Sequence, residues 1–306
     1  MLRSLVFAVT LTACAQTNAN SGPADAAVAD TAVPDTLATD SGADTSTTGD
    51  TGGATDTGLA TDTGPVDPAL VGLPGIAAWD ALAPDEKAKT KTFRTFFLHQ
   101  SVGGDLEDGA DAVGYKFEYV DSNYTALAPG LNGGLFASSN GNPAGKIAEF
   151  RKLALATKST ARVAIMKFGY ADIVSDKVSA AQTAYQAAVA DIKAAGVRVL
   201  HVTPPLVYAV PAENAPKMAT RAWMRTTFPS DVIFDLQDVE STEPATGARC
   251  ERGGSWEICN SVRSTAACPS LNQGIDAPTG QGHICFEPHA KRFAKAYLYA
   301  IYLAGK

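Results

Sequence analysis

From Ala15 to Leu70 the chain contains no lysine, arginine, glutamate or aromatic residue, although nine aspartates fall there. A stretch so poor in apolar mass has nothing to bury, and with charge of one sign it predicts a disordered tether. At about 56 residues it would reach on the order of 40 Å root-mean-square, more where the aspartates repel one another. Ala-Thr-Asp-Thr-Gly occurs at Ala54–Gly58 and again at Ala60–Gly64, and the many Thr and Ser residues permit glycosylation. A basic surplus is also missing. The formal charge of the 306 residues is -7, so without those nine aspartates the remainder carries +2, and +1 without Arg3. A nearly neutral folded part lacks the basic footprint of a nucleic-acid partner. No apolar run approaches the roughly 18 residues that read as a membrane span, which sets aside an integral membrane role. Histidine occurs only at positions 99, 201, 283 and 289, so any imidazole base has few candidates.

What the N-terminus does contain is a short export pattern. Arg3 and Ser4 precede a mostly apolar run from Leu5 to Leu11, followed by Thr12, Ala13 and Cys14. Such a cationic and then hydrophobic start ending in small residues reads as a signal peptide. Leu11-Thr12-Ala13-Cys14 resembles a bacterial lipobox, which implies lipid on Cys14, cleavage before it, and membrane contact through that lipid alone. The alternative is an ordinary cleaved signal with an incidental cysteine. Ala15, in place of Asp, suggests an outer-membrane or cell-surface destination. The other four cysteines, Cys250, Cys259, Cys268 and Cys285, form an even set at intervals of nine, nine and seventeen. Two disulfides are the economical reading for an exported chain. Zinc is the rival, but the close cysteine pairs of structural zinc sites are missing. Three pairings remain open.

Apart from Phe7, every aromatic residue lies beyond Val71, so residues 71–306 are expected to form one domain with a cysteine-rich insert at 250–285. Phe93–Leu98, Lys116–Val120, Arg162–Phe168, Val197–Thr203 and Asp231–Asp235 read as short buried strands bounded by turn residues. Between them lie helical faces: Ile147, Phe150 and Leu153; then Val178, Ala181, Tyr185, Val189 and Ile192, closed by Gly196; and last Phe293, Tyr297 and Ile301. Alternating strands and helices predict an α/β fold, a three-layer sandwich around a parallel sheet of about five strands. In such sheets a site is expected beyond the carboxyl ends of the strands, at the switch point.

The strand ends carry the chemistry. The first strand breaks into His99-Gln100-Ser101-Val102-Gly103-Gly104, placing a hydroxyl at a glycine-rich entry to a helix, whose N-terminal N–H groups suit a developing oxyanion. A phosphate loop would need Gly-Lys-Ser/Thr here, which is missing. Further along stand Ser138-Ser139-Asn140-Gly141-Asn142-Pro143, Lys167-Phe168-Gly169-Tyr170-Ala171-Asp172, Glu240-Ser241-Thr242-Glu243-Pro244 and Gly280-Gln281-Gly282-His283. In order and spacing these blocks resemble the SGNH, or GDSL-like, hydrolase superfamily, and more closely a bacterial lipoprotein subgroup with a His-Gln-Ser-Val-Gly block. The likeness spans about Phe93 to Leu303.

That resemblance implies a flavodoxin-like sheet and hydrolysis of an ester on a small molecule or polysaccharide, without a metal or organic cofactor. Ser101 would attack the carbonyl, His283 would accept its proton, and N–H groups of Ser101 and Gly141 would bind the oxyanion. Asn140 or Asn142 would supply a further donor, and Asp172 would shape the pocket or cap the segment after it. His289 is the alternative base; His201, inside a strand, reads as a core residue; His99 reads as structural or supporting. Two positions depart from the pattern. Ala171 stands where the superfamily has an asparagine donor, a loss worth about 2.7 to 4 kcal/mol in the transition state. Gly280 stands where the acid would precede His283, leaving Asp276 or Glu240 to orient the imidazole, or a Ser-His dyad. A disulfide at Cys285 would hold His283 or seal the rim. The main rival is a degraded site that binds cell-surface glycan without turnover; a third reading is a surface module that only displays loops. No spacing encodes an oligomeric state, and a monomer is the default expectation.

Overall fold

The computed structural model describes residues 70–120 and 123–306. Cys14, the export signal and the tether as far as residue 69 lie outside the described residues. Leu70, expected to end the tether, is instead in a strand.

Seven parallel strands form one sheet: β1 (Leu70–Val71), β2 (Arg94–His99), β3 (Phe117–Tyr119), β4 (Gly130–Leu135), β5 (Val163–Met166), β6 (Arg198–Val202) and β7 (Ile233–Phe234), in the order β1-β7-β6-β5-β2-β4-β3. Counted from β2 and without the two edge strands β1 and β3, the order is the doubly wound 2-1-3-4-5. The helices are α1 (Pro74–Ala81), α2 (Pro84–Thr90), α3 (Val102–Ala112), α4 (Pro143–Ala156), α5 (Val178–Ala194), α6 (Pro211–Thr227), α7 (Leu236–Glu240) and α8 (Lys291–Gly305). A short hairpin, β8 (Glu251–Arg252) with β9 (Ser255–Trp256), decorates the cysteine-rich insert.

Successive residues of a strand face opposite sides of the sheet, so β2 feeds both cores. Phe97 packs with Ile165, Phe293, Tyr297 and Ile301 under α8, whereas Phe96 and Leu98 pack with Phe150, Met166 and Tyr185 under α4 and α5. The result is a three-layer α/β sandwich. The three helical faces read from spacing are buried apart from the half-buried Val178, and Gly196, at φ 85°, ends α5 in the left-handed conformation that glycine tolerates best.

The sheet has two strands more than the roughly five expected, and one expected strand has a different place. Lys116–Val120 corresponds to β3, an edge strand that pairs only with β4, whereas the strand beside β2 is Gly130–Leu135. Its sequence, Gly-Leu-Asn-Gly-Gly-Leu, is weak as a strand signal because glycine is depleted in strands. Packing explains the glycine: a Cβ on Gly133 would lie 2.3 Å from Glu107 Oε1, on the helix crossing above. The chain leaves β2 for the α8 side and leaves β5 for the α5 side, so the switch point lies between these two neighbours.

Candidate functional site

Ser101 is the second of the two residues between β2 and α3, with φ 56° and ψ -121°. A non-glycine residue in this region is strained, and such strain persists where surrounding structure enforces it. The sharp turn lifts the side chain off the end of the strand, and Ser101 Oγ makes no cap bond to its own helix. It lies 2.6 Å from His283 Nε2 instead.

The loop that feeds α8 presents the imidazole. Asp276 Oδ1 is 2.7 Å from His283 Nδ1, and Asp276 Oδ2 accepts the His283 backbone N–H at 3.0 Å. A carboxylate on Nδ1 assigns the proton to that nitrogen and leaves the Nε2 lone pair facing Ser101. Arg263 braces the same loop, donating to Ala277 O at 3.1 Å while its guanidinium covers the Tyr208 ring at 4.4 Å. Gly282 is required by close approach: a Cβ there would stand 2.2 Å from Leu206 O. Tyr208 and the loop exchange two backbone bonds, Gly280 N–H to Tyr208 O and Tyr208 N–H to Gln281 O, each 3.0 Å.

Asp105, in the first turn of α3, clasps the insert to the nucleophile side. Ser270 Oγ donates to Asp105 Oδ1 at 2.6 Å and Ile284 N–H donates to Oδ2 at 2.9 Å. Burial, opposed by these two bonds, pushes the Asp105 carboxyl up to about 6. The disulfides pair sequential cysteines, Cys250 with Cys259 and Cys268 with Cys285. Asp276 and His283 therefore both lie inside the loop closed by Cys268–Cys285.

Other expected site residues have different roles. Asp172 is fully buried and accepts Gly141 N–H at 2.8 Å, Gly169 N–H at 2.6 Å and Lys146 Nζ at 2.7 Å. It is a brace between the loops after β4 and β5, and neither a cap nor a group exposed to substrate. The same bond corrects the reading of Gly141, whose N–H is spent on Asp172. Asn142 Oδ1 caps α4 by accepting Gly145 N–H at 3.0 Å, as expected of an asparagine ahead of Pro143 at a helix start. Asn140 Oδ1 accepts from Lys146 at 3.0 Å. His99 is buried, stacked on Phe97, with Nε2 3.0 Å from Glu107 Oε1. His201 sits in the core between Tyr185 and Phe228; its pKa is lowered by burial. His289 lies in the wide turn before α8, with Nδ1 unpartnered among the described residues. Glu240, the other acid considered, is fully buried and accepts Leu206 N–H at 2.7 Å; burial raises its pKa well above the usual carboxylate range.

Lys167, beneath the site, is also fully buried, donates to Phe168 O at 3.0 Å, and is lowered to about 8 by burial. Three residues near Ser101 were not singled out by the motifs: Asp105, Arg263 and Tyr170. Tyr170 Oη is 3.4 Å from His283 Nε2, with the two rings edge-on at 5.8 Å. It stands in one of the quoted blocks, beside Ala171, and that place was its only signal. Asp105 and Arg263 carried none, because each acts across the fold.

No protein-family model matches this chain, and a search of curated proteins gives no significant match.

Proposed function

We propose that the chain is a serine hydrolase acting on carboxylic esters, an esterase or deacetylase whose substrate is a small molecule or an acylated carbohydrate. The observation that carries the reading is the unbroken relay Ser101 Oγ, His283 Nε2, His283 Nδ1, Asp276 Oδ1, with contacts of 2.6 and 2.7 Å. In this reading Ser101 Oγ forms a bond to the carbonyl carbon as its proton passes to His283 Nε2, and the carbonyl oxygen takes the negative charge. Collapse of the tetrahedral species expels the alkoxide, which takes the proton from His283. Water, deprotonated by the same imidazole, then attacks the acyl-serine and frees the acid. Asp276 keeps the proton on Nδ1 and stabilises the imidazolium.

Export, lipid attachment at Cys14 and a cell-surface location remain part of the proposal on the strength of the N-terminal pattern, and a monomer remains its default. A second reading, glycan binding without turnover, is favoured by one observation: the Gly141 N–H is occupied by Asp172 at 2.8 Å. Hydrolysis of p-nitrophenyl acetate by the wild type and by Ser101→Ala separates the two. Turnover that disappears in the variant supports the hydrolase. Equal rates for both proteins, or no turnover together with binding on a glycan array, supports the binder.

A further inference from the structure

An ester hydrolase needs donors for the oxyanion, and the donors of this site are not those the sequence suggests. Position 171 is alanine. Gly141 N–H points to Asp172, and Asn142 is used as a helix cap. Of the two expected backbone donors, the Ser101 N–H remains, fewer than the two or three that usually share such a charge.

Tyr170 supplies a hydroxyl at the same place. It follows β5, the strand adjacent to β2 across the switch point, so its turn faces the turn of Ser101. Its Oη stands 3.4 Å from His283 Nε2, whereas Ser101 Oγ is at 2.6 Å from the same nitrogen. The shorter contact claims the imidazole lone pair, so the imidazole does not hold the Tyr170 proton, and the phenol is left with its hydrogen-bond contact to Ser101. The side chain is half-buried, so burial disfavours its ionisation, opposed by a hydrogen bond with Ser101. The group at the reacting atoms is therefore a neutral phenol, a donor near neutral pH.

We infer that Tyr170 is a catalytic residue whose hydroxyl donates a hydrogen bond to the carbonyl-derived oxygen of the tetrahedral intermediate, taking the part that an asparagine at position 171 would play. The inference rests on the hydrolase reading. When Ser101 gives its proton to His283, Nε2 becomes a donor and no longer competes for the phenol hydrogen. The phenol bond then strengthens as charge gathers on the substrate oxygen, which is the differential binding that raises kcat.

Tyr170→Phe keeps the ring against His283 and removes only the hydroxyl. With p-nitrophenyl acetate, kcat is expected to fall about 100-fold, the loss typical of one oxyanion donor, with KM little changed. The acidic limb of the kcat/KM profile stays in place, since His283 and Asp276 are untouched. Labelling of Ser101 by a fluorophosphonate, whose P–O mimics the developing oxyanion, slows in parallel. Tyr170→Phe within threefold of wild type, while Ser101→Ala is inactive, overturns the inference and leaves the hydrolase standing. A loss accompanied by a displaced acidic limb also overturns it, because the hydroxyl would then act by positioning His283. Wild type that neither turns over ester nor takes the label overturns both readings together.

Discussion

Asp276 holds His283 twice: one carboxylate oxygen meets ring Nδ1 at 2.7 Å and the other accepts the backbone N–H of the same residue at 3.0 Å. The double hold fixes ring orientation and loop conformation with a single side chain, across the seven residues that separate the two positions. Between them, Gly280 N–H bonds to Tyr208 O and the residue turns the chain at φ 78°.

Asp276→Asn tests that hold. An amide can present only one acceptor oxygen, so either Nδ1 or the backbone N–H loses its partner, and the imidazole tautomer facing Ser101 is no longer enforced. A loss of about 10⁴-fold in kcat is expected, as for an equivalent acid-to-amide change in a serine protease. Circular dichroism should remain that of the wild type. A loss under tenfold would mean that the serine and histidine act as a dyad.

The two disulfides should differ in what they protect. Cys268–Cys285 closes the loop that contains both Asp276 and His283, whereas Cys250–Cys259 lies outside it. Replacing Cys268 and Cys285 by Ala should remove about 3 kcal/mol of stability and, by misplacing the relay, up to about 100-fold in kcat/KM at temperatures where the variant stays folded. The Cys250/Cys259 double variant should stay within about threefold in kcat/KM, because that loop does not carry the relay. Equal losses in assays of both variants would refute a local role for Cys268–Cys285.

Asp105 gives the fold a definite pH signature. Its carboxyl titrates at about 6 in the folded chain, burial being the main cause, against about 3.9 unfolded. The folded state binds the proton more tightly, so this group's contribution is fully present below about pH 4 and is lost as pH rises through 6. The span is on the order of 2 to 3 kcal/mol. Asp105→Asn mimics the protonated acid, with its amide facing Ser270 Oγ and its oxygen facing Ile284 N–H. Subtracting the urea stabilities of this variant from those of the wild type, between pH 4 and 7, should give a falling curve. A flat difference would show that the carboxyl is not perturbed.

Lys146 and Asp172 form a buried pair at 2.7 Å, both side chains fully inaccessible. Asp172→Asn leaves the ammonium uncompensated and should cost about 3 to 5 kcal/mol in denaturant unfolding, whereas Lys146→Met with Asp172→Leu should recover most of that. A single variant as stable as the wild type would mean that water reaches the pair.

Gly282→Ala puts a Cβ 2.2 Å from Leu206 O, so the loop bearing His283 must shift. A displacement near 1 Å costs about 100-fold in rate. Wild-type kcat in this variant would show that the loop yields without moving the imidazole.

Much of the fold is legible in one dimension because its signals are local. Phe93–Leu98 reads as a strand by its apolar run, Tyr185 and Ile192 as a helix face by their spacing, and Ser101 and His283 as loop residues by the glycines around them. Gly130–Leu135 was illegible for the converse reason: its side chains are absent where Glu107 and Leu98 press on the sheet, and that pressure comes from elsewhere in the chain. The acid was ambiguous between Asp276 and Glu240 because sequence distance ranks neither. The position of Gly141 was readable, but the direction of its N–H was set by Asp172, thirty-one residues away.

The sequence by itself determined the α/β class, the alternation of strands with helices, and the placing of a serine and a histidine in loops between them, since periodicity and breaking residues act over a few positions. Only the tertiary structure decided the cysteine pairing, the carboxylate on His283, the brace at Asp172 and the hydroxyl of Tyr170 beside the imidazole. Those depend on which strand ends become neighbours: Ser101 and His283 are 182 residues apart along the chain and 2.6 Å apart in space. Burial of two apolar faces on a single sheet is the force that closes that gap.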